Sequence, residues 1–283
     1  MHLRGRSLRT VSEMLRPLPR RDLLLLAGGS LVAYLSACLA GHGSGDDPSA
    51  DPRARRRLHA GGHLSSRPRP PRRAAPPAGL IPLQLSGSDR DGALYVPPSY
   101  RHDVPAPLVL SLHGAGGSGR RGLRRLQSLA DAEGLLVMVP DSRSSTWDVA
   151  RSGTFGADVE FLDRALDLVF ARYAVNPSRV IAEGFSDGAS AALSLGLLNG
   201  DLFTHVIAFS PGFVAEGSRR GKPRLFLSHG VDDDVLPIDR CSRPIVRDLR
   251  GGDYDVRYTE FAGGHTVPDE IAREAMDWLA GRS

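Results

Sequence analysis

Residues 179–198 read RVIAEGFSDGASAALSLGLL. A strand-like apolar run meets a helix-like run across Gly184-Phe185-Ser186-Asp187-Gly188. Gly-x-Ser-x-Gly between a strand and a helix sets the serine on a sharp, strained turn, and the flanking glycines relieve the crowding between the two elements. Five residues alone arise often by chance. Whether Ser186 is a nucleophile or a spacer therefore depends on what surrounds it.

Outward from this turn the chain alternates. LVLSLH (108–113), LLVMVP (135–140), RVIAEG (179–184), HVIAFS (205–210), RLFLSHG (224–230) and DVRYTEF (255–261) are apolar runs separated by helical patterns. Continuous rather than alternating hydrophobicity marks strands covered on both faces. The expected fold class is α/β: a mainly parallel, doubly wound sheet with helices on both faces. LQLSGSDRDGALYVP (83–97) reads as two short strands joined by a polar turn, an antiparallel start. In such a sheet the functional residues lie in the loops after the strands.

Those loops carry a constellation. After the first parallel run comes His113-Gly114-Ala115-Gly116-Gly117, whose glycines free backbone N–H groups to face a developing oxyanion. After the fifth comes HGVDDDVLP (229–237), with three candidate acids, Asp232, Asp233 and Asp234. Its ligand spacing does not fit a Ca²⁺ loop, so no metal is expected. After the last comes Phe261-Ala262-Gly263-Gly264-His265. Ser, acid and His thus follow in the order the chemistry uses on this kind of sheet. A serine hydroxyl needs an imidazole to take its proton and return it to the leaving group, and the imidazole needs a carboxylate to fix its tautomer. Acyl transfer of this kind requires no cofactor.

The formal charge of +4 divides unevenly. Residues 1–80 hold 14 Arg against 5 acidic residues, and residues 81–283 hold 22 basic against 27 acidic, so the surplus belongs to the leading segment. A nucleic-acid partner is not indicated. Six Arg in residues 1–22 precede the apolar run 23–37, which is short for a membrane span and fits an export signal. Arg20-Arg21 resembles a twin-arginine signal, and Leu35-Ser36-Ala37-Cys38 resembles a bacterial lipobox with Cys38 taking the lipid. The expected organisation is an export signal over 1–37, a disordered Pro/Arg/Gly-rich tether over 38–80 and a catalytic domain over 81–283. The expected protein is therefore a lipid-anchored resident of the bacterial cell envelope, with a membrane as partner through Cys38; a plain cleaved signal peptide or an N-terminal anchor left in place are the alternatives. Cys241, the second of two cysteines, is expected to be a small buried side chain.

With these motifs in order the chain resembles an α/β-hydrolase. It is most similar to the phospholipase/carboxylesterase family, which borders the dienelactone hydrolases and the polyhydroxybutyrate depolymerase/feruloyl esterase-like proteins. The resemblance covers 81–283 and implies a serine carboxylic ester hydrolase for a small-molecule ester, with Ser186, Asp233 and His265 as triad. Its oxyanion donors would be the N–H groups of Ala115 and Asp187. The acid four residues after the histidine of HGxxD maps to Asp233, with Asp232 and Asp234 within one residue of register. No long insertion before the last strand suggests a lid, so long triglycerides are not the expected substrates. Trp147, Phe155, Phe213 and Leu236 are candidate pocket walls, each equally able to sit in the core. A thioesterase, a serine peptidase, a polyester depolymerase/feruloyl esterase-like enzyme or a binding-only lipoprotein remain the alternatives.

Overall fold

In the computed structural model the described residues are 52–71, 77–88 and 90–282, within the compact unit Asp46–Ser283. The expected export signal and Cys38 lie outside them. The six apolar runs form the parallel part of one eight-stranded sheet: β3 (Ala106–Leu112), β4 (Leu136–Val139), β5 (Val175–Phe185), β6 (His205–Phe209), β7 (Arg224–Gly230) and β8 (Val256–Phe261). Two antiparallel strands, β1 (Gly79–Pro82) and β2 (Ala93–Val96), extend it beyond β4, giving the order β1-β2-β4-β3-β5-β6-β7-β8.

Period-two burial divides the core between the faces. On β3, Leu108, Leu110 and Leu112 cluster with Phe161 and Leu162 of α4 (Ala157–Arg172) and Leu195 of α5 (Asp187–Leu198). Val109 between them clusters with Leu123 and Leu126 of α2 (Gly119–Glu133), and with Ala275 and Met276 of α7 (Asp269–Leu279). On the α5 side, α6 (Ser242–Gly251) adds Val246 and Leu249. The sheet is doubly wound as expected. Its winding reverses between β3 and β5, so the loops after those two strands meet at the crevice where sheets of this kind bind ligands.

Two expectations need correction. The first strand is Gly79–Pro82, upstream of the LQL run. Leu83 is buried outside the ladder, and the Asp91 carboxylate draws in the Ser86 N–H (2.6 Å) and hydroxyl, so 83–92 closes as a loop. The reading of 38–80 as a disordered tether fails over 53–71, where the chain packs on the domain. After α1 (Pro52–Ala60) it runs across α4 and the end of α5. The Asp163 carboxylate of α4 accepts hydrogen bonds from the Ser65 and Ser66 N–H groups (2.9 and 2.8 Å) and the Ser65 hydroxyl (2.5 Å), and lies 2.9 Å from His59 Nε2. Asn199 accepts the Leu64 N–H and donates to the Gly62 carbonyl (2.7 and 2.8 Å), and Leu64 is buried. One large apolar side chain and matched polar groups order a segment whose composition carries little hydrophobicity. A third short helix, α3 (Asp148–Ser152), lies in the loop after β4. Among the described residues no helix is long and apolar enough to cross a membrane.

Candidate active site

Ser186 stands between β5 and α5 with φ 59° and ψ −124°, a left-handed conformation that non-glycine residues adopt at a cost of about 1–3 kcal/mol. Its N–H donates to the Phe209 carbonyl at the end of β6 (2.9 Å), which pins the turn from the neighbouring strand. The two glycines of the motif are required by close approach. A Cβ on Gly184 would lie 2.3 Å from the Gly188 carbonyl oxygen, and one on Gly188 would lie 2.1 Å from that of Leu112. The helix can therefore press against the strands only with glycine at both places, and that pressure holds the serine at the strand tips.

His265 reaches the turn from the loop after β8. Its Nε2 is 2.8 Å from Ser186 Oγ, and its Nδ1 is 2.7 Å from Asp233 Oδ2. Its ring lies on that of Phe185, with centroids 4.7 Å apart. Asp233 is 5% exposed, whereas Asp232 and Asp234 face solvent. Its second oxygen, Oδ1, accepts the Val235 and Leu236 N–H groups (3.0 and 2.8 Å). Burial alone would raise this carboxyl, but the Leu236 N–H and the His265 imidazole outweigh it and hold Asp233 below the ordinary carboxylate value. An ionised carboxylate on Nδ1 is what keeps the proton there and leaves Nε2 free to accept from the serine.

Two further histidines order the loops. The buried His229 has Nε2 2.7 Å from the Leu236 carbonyl and 3.1 Å from Asp233 Oδ2. A carbonyl only accepts, so Nε2 carries the proton, and the Ser242 hydroxyl at 2.6 Å donates to Nδ1. Burial lowers the pKa of His229 and keeps it neutral. The His113 Nδ1–H donates to the Gly114 carbonyl (2.8 Å) while Nε2 accepts the Ser142 N–H (3.0 Å). Around it the turn is closed by the Gly116 N–H on the Ser145 carbonyl and the Gly117 N–H on the Gly114 carbonyl. A Cβ on Gly114 would come 3.4 Å from Ser186 Cβ, so this turn, with Ala115 exposed on it, lies directly beside the serine. Asp187 opens α5, where its N–H has no acceptor within the helix. The Asp187 carboxylate is occupied by the Thr146 hydroxyl (2.7 Å).

The expected pocket walls fare unequally. Trp147 is 1% exposed, donates its indole N–H to the His113 carbonyl (2.7 Å) and stacks on the His113 ring, so it is core that braces the turn. Phe155 is also misassigned. Its ring edge lies 2.7 Å from where a Cβ on Gly62 would sit, so it packs under the N-terminal segment. Phe213 and Leu236 stay half-buried, and Leu236 lies over Gly212, whose N–H is held by Ser190 one turn beyond Ser186. Cys241 is buried as expected. Phe185, Arg121 and Arg125 border the site and were not anticipated. The signal for the two arginines was the RRGLRR run (120–125) soon after the glycine turn, and Phe185 stood inside the Gly184–Gly188 motif. Among the described residues no cluster of His, Cys, Asp or Glu is arranged to hold a metal ion.

A mainly parallel, doubly wound sheet of this order is the α/β-hydrolase fold, and it brings Ser186, His265 and Asp233 into one hydrogen-bonded series at its strand tips. The family model described as "Putative esterase" matches residues 84–219. Over 165 residues the chain is 28% identical to the probable feruloyl esterase C of Aspergillus niger, covering 55% of this chain and 58% of that protein. It is also 30% identical over 159 residues to a bifunctional acetylxylan esterase/xylanase of Neocallimastix patriciarum, covering 53% of this chain and 22% of the other. The crystal structure of esterase PE8 superposes with a TM-score of 0.56 at 25% identity, covering 73% of this chain and all of that one. The chain thus spans less than two thirds of the length of the curated relatives it matches.

Proposed function

We propose that this protein is a serine esterase that cleaves small or medium carboxylic esters by acyl transfer. The observation that carries the proposal is the unbroken series Ser186 Oγ, His265 Nε2, His265 Nδ1 and Asp233 Oδ2, with spacings of 2.8 and 2.7 Å, on a strained turn. In this mechanism Ser186 attacks the ester carbonyl while His265 takes its proton. Asp233 holds the imidazole and stabilises it once charged. The Ala115 and Asp187 N–H groups receive the oxyanion, which in a water-poor site contributes a few kcal/mol of transition-state stabilisation per donor, by roughly the scale of oxyanion-hole mutants. His265 returns the proton to the leaving alcohol, and water then repeats the sequence in reverse to free the acid.

The names of the relatives support feruloyl esters and acetylxylan as the first substrates to try. Thioesters or peptides could be opened by the same groups. Hydrolysis of a 4-nitrophenyl ester series from acetate to palmitate, with Ser186→Ala as control and fluorophosphonate labelling alongside, tests the reading. A maximum at short chains is expected. A wild type that neither turns over nor is labelled overturns it in favour of a binding protein.

Export and anchoring complete the proposal. The basic start, the apolar run 23–37 and Leu35-Ser36-Ala37-Cys38 support lipidation at Cys38 in the cell envelope. Replacement of Cys38 by Ser should release the protein from membranes. A wild type already soluble with Cys38 intact overturns the anchor.

A further inference from the structure

Beside the oxyanion turn lies a cavity of about 160 Å³, bounded by Leu112, Gly114, Ala115, Phe185, Arg121 and Arg125. It adjoins the reacting atoms at two places, since Gly114 faces Ser186 and the Phe185 ring carries His265. Besides the His113 ring, its polar side chains are two guanidinium groups, which project from the same face of α2, four residues apart. The half-buried Arg125 is bonded through Nη2 to the buried Glu183 (2.5 Å), and the pair is single-pronged: Arg125 Nε and Glu183 Oε2 have no partner. Arg121 is exposed and has no ion pair among the described residues. Helix stability does not explain these arginines. The first turn of α2 has no acid and its last turn no base, the reverse of what the helix dipole favours. The helix start is already capped by Asp141, which accepts the Gly119 N–H (2.6 Å), so any anion here must be read by side chains. Gly122 keeps the space open, because a Cβ there would meet only Ser111 Oγ, at 3.4 Å.

We propose that this cavity is the leaving-group site, and that it selects esters whose alcohol carries a carboxylate or similar anion; the assignment rests on the esterase reading above. The side follows from the mechanism. The ester carbonyl must lie between Ser186 and the oxyanion donors, and the leaving oxygen must face His265 Nε2, which returns its proton. The ring that supports His265 is a wall of the cavity, so the alcohol points there. The acyl group then extends over Gly212 and Leu236. Glu183 neutralises one arginine, so the surplus positive charge is that of Arg121, and Arg125 adds its unused donors.

Four acetate and succinate esters, assayed with the full chain, test this. 4-Acetoxybenzoate and its methyl ester differ only by an anion on the leaving group. Phenyl hydrogen succinate and phenyl methyl succinate differ only by an anion on the acyl group. The wild type should favour the anionic leaving group over its neutral partner by about tenfold in kcat/KM, mostly through KM, with no such preference on the acyl side. Arg121→Ala should remove most of that ratio and Arg121→Glu should invert it. Raising the salt concentration should shrink it. A ratio near one in an active wild type, a preference on the acyl side instead, or a ratio unchanged in Arg121→Glu each overturns the assignment and leaves the esterase intact. Rates equal to those of Ser186→Ala on all four esters overturn the esterase reading itself.

Discussion

Two buried aspartates in this molecule are surrounded almost alike, yet they do different work. Asp163 on α4 receives two backbone N–H groups, a serine hydroxyl and a histidine nitrogen, and it fastens the N-terminal segment to the domain. Asp233 after β7 receives two backbone N–H groups and contacts two histidine nitrogens, and it fastens His265. The bonds to the carboxylates are equally short, so a buried His–Asp pair is not itself a sign of catalysis. The difference lies at the far end of the imidazole. The bond His59 makes is to Asp163, whereas His265 continues to a serine held at φ 59° with a glycine-walled turn beside it. In the proposed mechanism, reactivity is a property of what the histidine reaches.

Substitutions at the two carboxylates should separate these roles, and the largest effect belongs to the catalytic side. Ser186→Ala, which removes the nucleophile, and Asp233→Asn, whose amide favours the wrong imidazole tautomer, should each lower kcat/KM by roughly 10³- to 10⁴-fold or more. Asp163→Asn should leave kcat per folded molecule near the wild-type value. Steady-state kinetics on samples matched for folded protein decide this. If Asp163→Asn lost activity as Asp233→Asn does, the contrast would collapse.

Stability reverses the ranking. Asp163→Asn keeps the shape but leaves donors from Ser65, Ser66 and His59 badly matched in a buried place, at a cost of about 2–4 kcal/mol in denaturant unfolding. Leu64→Ala beside it should cost about 2–3 kcal/mol. Acid should act in the same direction. Burial opposes ionisation of Asp163, but the hydrogen bonds from His59, Ser65 and Ser66 outweigh it and hold its pKa far below the usual value. A depressed folded pKa stabilises fully above the unfolded carboxylate value of about 3.9, and that stability disappears as pH falls from there toward the folded value. The wild type should therefore lose stability below about pH 4 more steeply than Asp163→Asn, as urea midpoints at pH 7, 4 and 3 would show. Parallel curves would mean that Asp163 is not the group that senses acid.

The unequal legibility of the two regions has the same origin. The parallel sheet could be read because strands covered on both faces must be apolar throughout, and the meeting of Ser186, Asp233 and His265 because each follows a strand in fixed order. The N-terminal segment was misread because composition measures burial of apolar surface, and this segment is held largely through polar groups on Asp163 and Asn199, about 100 and 135 residues away in the chain. Trp147 and Phe155 were left open between pocket and core for a related reason. An aromatic residue in a loop after a strand has the same local pattern whether it lines a pocket or braces a turn, and only the His113 carbonyl and Gly62 decide. β1 was displaced because the 83–92 loop is closed by Asp91, a side chain that period-two patterning does not weigh.

The smallest predicted effect concerns the three consecutive acids. Asp232 and Asp234 face solvent on either side of Asp233, and the contact Asp232 makes with the His265 loop is through its backbone, the N–H donating to the Gly263 carbonyl (3.0 Å). That bond survives any side chain except proline, so Asp232→Ala and Asp234→Ala should change kcat/KM by no more than about two- to threefold and stability by no more than about 0.5 kcal/mol. What change there is should come from lost negative charge near the imidazolium, and so should fade as salt is raised. A loss at Asp232 or Asp234 as large as that at Asp233 would mean that the register of the loop differs in the working enzyme. The carboxylate that orients His265 would then have to be reassigned, although the backbone donors of Val235 and Leu236 now converge on Asp233.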